Sequence, residues 1–145
     1  MNNDQNHFEA LETMYLAAPV NKYYQPKIKV SESESEISIT LKESMHHSAG
    51  AVHGSVYFKL LDDSAFFAAN SLEKEFFVLT SSFTTYLLKP VIDGELIAVG
   101  NVVSATRSQW IVESVVYNHG IEVARGSGVF VRGKYPLHKA KGYRI

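Results

Sequence analysis

Cysteine does not occur in the chain. Disulfides, thiolate nucleophiles and cysteine-ligated metals are excluded together, while the redox compartment stays open. Surplus charge is lacking too: 14 Lys and Arg against 15 Asp and Glu leave a formal −1, without the positive field that draws a protein to a phosphate backbone. No nucleic-acid partner is expected. No apolar run reaches the roughly 20 residues of a membrane span, and the opening MNNDQNHFEALE is polar and acidic where a secretory leader is basic and then apolar. The expectation is a soluble, cytoplasmic protein with no membrane partner. Internal repeats and low-complexity segments are also missing. With 145 residues, 46% of them hydrophobic, the chain suffices for one core and one domain over 1–145, with little length for a second.

Periodicity supplies the elements. Phe8, Leu11, Met14, Tyr15 and Ala18 recur at helical spacing ahead of Pro19, which predicts an amphipathic N-terminal helix within 1–20. Residues 27–30 and 36–41 alternate apolar with polar, and the Ser/Glu run 31–35 between them reads as the solvated turn of a hairpin. Residues 43–53 have no period and predict a loop. A helix follows over 54–71, then strands over 77–88, 95–106, 110–117 and 121–132, the last two joined tightly at Asn118-His119-Gly120. The tail 133–145 carries Lys134, Lys139, Lys141 and Arg144 with no acid, and is expected to be partly disordered. Helix, two strands, long helix and four strands predict an α+β domain in which one antiparallel sheet lays an apolar face on one buried helix.

The chain is organised around 46–70, HHSAGAVHGSVYFKLLDDSAFFAAN. A loop rich in Gly and His runs into a helix apolar on nearly every side, yet two adjacent acids, Asp62 and Asp63, stand at its middle. Such a helix is normally buried, and a carboxylate in it needs a hydrogen-bond or charge partner, or a chemical task. Asp62 shares a helical face with Phe58, Ala65, Phe66 and Ala69, surroundings that raise a carboxyl pKa and improve it as a base. On residue chemistry alone two readings stay open for it: catalysis, or a buried acid satisfied by backbone N–H groups or Lys59. Asp63 lies four residues after Lys59, the spacing of a helical ion pair. Gly54, at the helix start, offers an unpaired N–H at the positive end of the dipole, a means of holding an oxyanion. Asp62 lies about 12 Å further along the axis at 1.5 Å per residue, so one chain cannot readily bring both to one carbonyl. His46, His47 and His53 lack a compact ligand pair, and no metal is expected. Ser55 lacks a surrounding G-x-S-x-G, which discounts a serine nucleophile.

From His53 to Asn70 the chain reads H-G-S-x-x-x-x-x-L-D-D-x-A-F-x-A-A-N. This resembles the motif of hotdog-fold acyl-CoA thioesterases of the phenylacetate-pathway (PaaI-like) type, in which a loop ending in His-Gly-Gly leads into the helix and an acid follows. The element order is also the hotdog order, so the resemblance covers nearly the whole chain. It implies an antiparallel sheet wrapped around one long central helix, and hydrolysis of an acyl- or aryl-CoA thioester to coenzyme A and a carboxylate, with no metal or redox cofactor. It further implies a homodimer, or a dimer of dimers, whose sheets join edge to edge with two sites at the seam.

The same resemblance assigns roles. Asp62, nine residues beyond His53, matches the family's catalytic acid, as general base or nucleophile. His47 falls where the family has an Asn or His that contacts the thioester, Gly54 at the backbone donor, and Thr80 at a residue that orients water or the acid. Gly54 and His47 of one subunit would face Asp62 and Thr80 of the other. Ser55 replaces the motif's second Gly, which sets a Cβ and hydroxyl where ligand approaches, and His47 makes its contact depend on tautomer and pH. His53, Ser55 and Phe66 are expected at the substrate, and Lys89 and Arg107 at the coenzyme A phosphates, with Arg132 and Lys134 as further candidates. Each has a structural rival: His53 as a hydrogen bond holding the loop, the Lys and Arg side chains as solvated surface, and Phe66, Phe67, Phe83, Tyr86 and Trp110 as core. Two other functions compete. One is a non-catalytic acyl-CoA sensor, which usually needs a DNA-binding module that the N-terminal helix does not supply. The other is a hotdog hydratase or dehydratase, whose relatives use a His base, whereas no His occurs between Asp62 and Thr106.

Overall fold

The computed structural model describes residues 3–145, and the first two positions of the expected N-terminal helix lie outside them. Helix α1 (Asn3–Ala17) is followed by a short turn of helix, α2 (Asn21–Tyr24), and the hairpin β1 (Lys27–Ser31) and β2 (Glu34–Thr40). A loop with one 3-10 turn leads to the central helix α3 (Gly54–Asn70) and then to β3 (Phe76–Leu87), β4 (Glu95–Ala105), β5 (Gln109–Asn118) and β6 (Ile121–Pro136). All pairings are antiparallel, in the order β1-β2-β4-β5-β6-β3. The sheet wraps α3, as the hotdog resemblance implied, and the expected order of strands and longer helices holds, with the short α2 an element the sequence reading did not include. His119 and Gly120 close the β5–β6 hairpin with both φ angles positive, 51° and 76°, the backbone of a tight two-residue turn.

The apolar side of α3 enters the sheet completely. Leu60, Leu61, Ala65 and Ala68 have no exposed surface, and each buried Leu contributes about 1.5–3 kcal/mol. The approach is close because Gly100 of β4 has no side chain: a Cβ there would overlap the Ser64 carbonyl. Ser35 of β2 and Ser114 of β5 flank Gly100 directly in register. Their hydroxyls donate to the helix carbonyls of Ser64 at 2.7 Å and Leu61 at 2.9 Å. The expected solvated turn over 31–35 is therefore shorter than the sequence suggested. Ser35 belongs to β2 and is buried, because its hydroxyl has a partner on the helix.

The tail is also ordered, against expectation. β6 extends to Pro136, Leu137 and Tyr143 are buried, and Gly142 accepts a hydrogen bond from Thr13 Oγ1 of α1 at 2.7 Å. Its basic side chains stay in solvent while these contacts fix the backbone. A further polar contact involves His7, which is buried against the end of α3. Its Nε2 lies 2.8 Å from the Asn70 carbonyl and its Nδ1 2.7 Å from the Tyr143 hydroxyl. A carbonyl only accepts, so Nε2 carries the proton and Nδ1 accepts from the phenol. Burial pushes the imidazole pKa below its usual value, in keeping with a neutral ring.

The two sheet edges are unlike. β1 is short, exposes Lys27 and Lys29, and has the Val30 N–H capped by Glu12 Oε2 of α1 at 2.7 Å. Those are the features that discourage strand addition. β3 is 12 residues long, FFVLTSSFTTYL, without a charge or a proline, and exposes Leu79, Tyr86 and Leu87.

Candidate active site

Asp62 stands on the strip of α3 that the sheet leaves uncovered, between Phe58, 42% exposed, and the half-buried Phe66. The Thr80 hydroxyl donates to Asp62 Oδ1 at 2.8 Å, leaving Oδ2 without a hydrogen bond among the described residues. A register shift in β3 makes this geometry compatible with packing. Thr80 pairs with Phe130 and Ser82 with Val129, so Ser81 is an extra residue and the alternation of faces resets. Thr80 and, three residues on, Phe83 therefore both face the helix, Thr80 toward Asp62 and Phe83 edge-on to Phe58 at 5.7 Å. Burial pushes the Asp62 carboxyl above its ordinary pKa; the Thr80 hydroxyl draws it back, the neighbouring Asp63 raises it and Lys59 lowers it.

Asp63 has a different station. Its Oδ2 accepts from Lys59 Nζ at 2.8 Å, the expected i, i+4 pair, and from the Tyr15 hydroxyl of α1 at 2.6 Å. Burial, then Asp63, hold the Tyr15 phenol well above its usual pKa, so it remains a donor. Two adjacent acids are thus divided, Asp63 tied to two donors and Asp62 to one, and both line a cavity of about 330 Å³. Phe66, Phe67 and Phe77 line that cavity together with Met14, Ala18 and Val20.

His47 and Gly54 share a second depression, about 350 Å³, with Tyr57, Leu87 and Lys89. The Ala49 N–H donates to His47 Nδ1 at 3.0 Å. A backbone N–H cannot accept, so the neutral ring carries its proton on Nε2 and presents a donor. The tautomer left open by the sequence is set by the loop. Neither depression contains residues of both groups: Asp62 and Thr80 lie in one, His47, Gly54 and Lys89 in the other.

The remaining candidates are placed as follows. His53 caps α3, its Nδ1 accepting from Ser55 N at 3.1 Å and lying 2.8 Å from Ser55 Oγ; both side chains line a third depression beside Tyr23 and His46. Arg107 sits exposed in the β4–β5 turn and Lys134 exposed on β6, away from both depressions. Arg132 is engaged by the buried Glu73 at 2.6 Å. Phe67 and Trp110 are buried, and the Phe83 ring covers two glycines of β6, Gly126 and Gly128. Tyr86 is exposed. Among the described residues no three His, Cys, Asp or Glu side chains group as a metal site, and His46 Nε2 is occupied by the Ile92 carbonyl at 2.8 Å. No described helix is long and apolar enough to cross a membrane. Sequence reasoning gave no role to Tyr15 or to the far wall of the cavity; Tyr15 and Asp63 are 48 positions apart, and no local spacing could pair them.

A six-stranded antiparallel sheet wrapped around one helix, with an acid half-sunk on that helix beside an apolar cavity, defines a hotdog-fold protein with a candidate acid-base site. The thioesterase superfamily model matches residues 49–124, more than half of the chain, and the protein belongs to that superfamily. No curated protein matches the sequence. Among solved structures, the Escherichia coli PaaI protein from the phenylacetic acid degradation operon is 20% identical with a TM-score of 0.84, over 93% of this chain and 99% of that one. A putative thioesterase related to phenylacetic acid degradation from Ralstonia eutropha gives 18% and 0.75, over 86% and 98%. A mutant of the phenylacetic acid degradation protein PaaI from Thermus thermophilus gives 19% and 0.73, over 80% and 100%. At such identities the likeness establishes the fold.

Proposed function

We propose that the protein is an acyl-CoA thioesterase whose site is completed across a homodimer. The observation that carries this is the Asp62–Thr80 hydrogen bond, which leaves one free carboxylate oxygen beside an apolar cavity. Gly54 and His47, the oxyanion donors in this reading, line a separate depression on the same chain. Pairing of the uncharged β3 edges in antiparallel fashion would bring the two kinds of depression together.

In this reading Asp62 Oδ2 takes a proton from water as the water oxygen bonds to the thioester carbonyl carbon. The carbonyl oxygen, now negative, is held by the N–H of the partner's Gly54 and by Nε2–H of the partner's His47. Collapse of the tetrahedral species breaks the C–S bond, and the proton passes from Asp62 to the departing sulfur. Direct attack by Asp62, giving an anhydride that water then opens, uses the same contacts. Lys89 supplies positive charge toward the coenzyme A phosphates. The reaction so written calls for no metal or redox cofactor.

The test is thiol release from short, long and aryl acyl-CoA esters by wild type, Asp62→Asn and Asp63→Asn. Asp62→Asn is expected to lower kcat by about 10²–10⁴-fold, and Asp63→Asn by less than about tenfold. Loss confined to Asp63→Asn would overturn the assignment of the base, and tight binding without turnover would make the protein an acyl-CoA sensor.

A further inference from the structure

The thioesterase motif gives α1 no part in the chemistry, yet its C-terminal half forms one side of the cavity that begins at Asp62. Met14 and Tyr15 of α1, with Ala18, Val20 and Asn21 just beyond its end, line it together with Phe66, Phe67 and Phe77. We propose that α1 and the corner leading to α2 are the end wall of the acyl pocket, restricting the substrate to an uncharged, apolar acyl group of limited length. The proposal rests on the thioesterase reading and adds the substrate class to it.

Three observations support a wall rather than a chance neighbour. First, α1 is fixed along its whole length. His7 is held by Asn70 and Tyr143, Glu12 by the Val30 N–H, Thr13 by Gly142 and Tyr15 by Asp63. A pocket end can discriminate length only if it does not yield, and these ties come from three different parts of the chain, α3, β1 and the C-terminal tail. Second, Tyr15 links the wall to the reacting end. Its ring meets Phe67 edge-on at 4.9 Å inside the cavity while its hydroxyl bonds the acid adjacent to Asp62. Third, the polar lining has a sign. Two carboxylates, Asp62 and Asp63, face the cavity with one ammonium, Lys59, already paired with Asp63 at 2.8 Å. A distal carboxylate on the acyl group would enter a region of net negative charge and lose its hydration there, both unfavourable.

The experiment compares kcat/KM across straight-chain acyl-CoA esters from acetyl to palmitoyl, with succinyl-CoA against butyryl-CoA, in wild type, Ala18→Phe, Met14→Ala and Leu16→Ala. Leu16 lies on the exposed side of α1, 54% accessible, and serves as the control. Ala18→Phe is expected to lower the long-to-short ratio about tenfold or more, Met14→Ala to raise it by a similar factor, and Leu16→Ala to leave it as in wild type. Succinyl-CoA is expected to be at least about tenfold poorer than butyryl-CoA. Unchanged ratios in both wall variants, shifts in the same direction, or parity of succinyl with butyryl would overturn the proposal. The same variants are titrated calorimetrically with non-hydrolysable thioether analogues of graded length. If wild type turns over none of the esters, the hydrolase reading fails while the analogue affinities still decide the wall: opposite shifts in preferred length uphold it, and a flat profile removes it. Circular dichroism and thermal melting of each variant establish that it is folded.

Discussion

Thr80 Oγ1 and Asp62 Oδ1 are 2.8 Å apart, joined across the gap between the outermost strand and the central helix. The bond fixes which oxygen of the carboxylate is occupied, and it opposes the upward push that burial exerts on the carboxyl pKa.

Replacing Thr80 by Val keeps the shape and removes the donor. Asp62 then loses its main pKa-lowering contact, so the acidic limb of the kcat/KM profile is expected to move to higher pH and the plateau to fall by roughly tenfold. A pH–rate profile measures both. An acidic limb at its wild-type position would mean that Asp62 is not the group titrating in that limb.

Asp62 also has a stability signature. Its folded pKa lies above the ordinary 3.8, so between that value and the folded pKa the native state holds more protons than the unfolded chain. Stability therefore falls as pH rises through this window, and ionised Asp62 is a net cost at neutral pH. Asp62→Asn is expected to unfold at higher urea concentration than wild type at pH 7 and to lose most of that advantage near pH 4. A variant destabilised at both pH values would contradict the sign.

His7 works in the opposite direction. Burial holds its folded pKa below 6.5, so the unfolded chain takes up a proton that the native state resists, and stability is lost as pH falls below about 6.5. The facing charged groups, Lys74, Asp4 and Glu73, modify the size of the effect in both directions. His7→Gln can keep both hydrogen bonds without titrating. Urea midpoints between about pH 5 and pH 7 are expected to flatten in this variant, and an unaltered slope would assign the acid sensitivity to another group.

The uncharged β3 edge makes a prediction about assembly. Thr84→Lys places a cation on the exposed strand, and in an antiparallel pair of such edges the two copies would repel. Sedimentation velocity is expected to show a weakened dimer, with thiol release falling in proportion to the dimer lost. A variant that is monomeric and fully active would separate activity from the seam.

Much of this molecule is written in local pattern. Alternation gave the strands, the 3.6-residue period gave the central helix, and the His-Gly approach with its following acids marked the stretch that matters, because each depends only on neighbours within a turn or a strand. The limits of local pattern are equally specific. Ser35 looks like part of a solvated run until the Ser64 carbonyl is found above it, and the basic tail looks loose until Tyr143 reaches His7, 136 positions away.

What the sequence determined alone is the six strands, the two longer helices and the pair of acids at the middle of α3, since side-chain period and motif spacing are properties of consecutive residues. Only the tertiary structure decided how each acid is engaged. Asp63 is taken by a phenol from α1 and Asp62 by a hydroxyl from β3, and the extra residue at Ser81 lets Phe83 face the helix as well. Those pairings depend on where distant segments meet, which the packing of the whole core fixes and no spacing along the chain encodes.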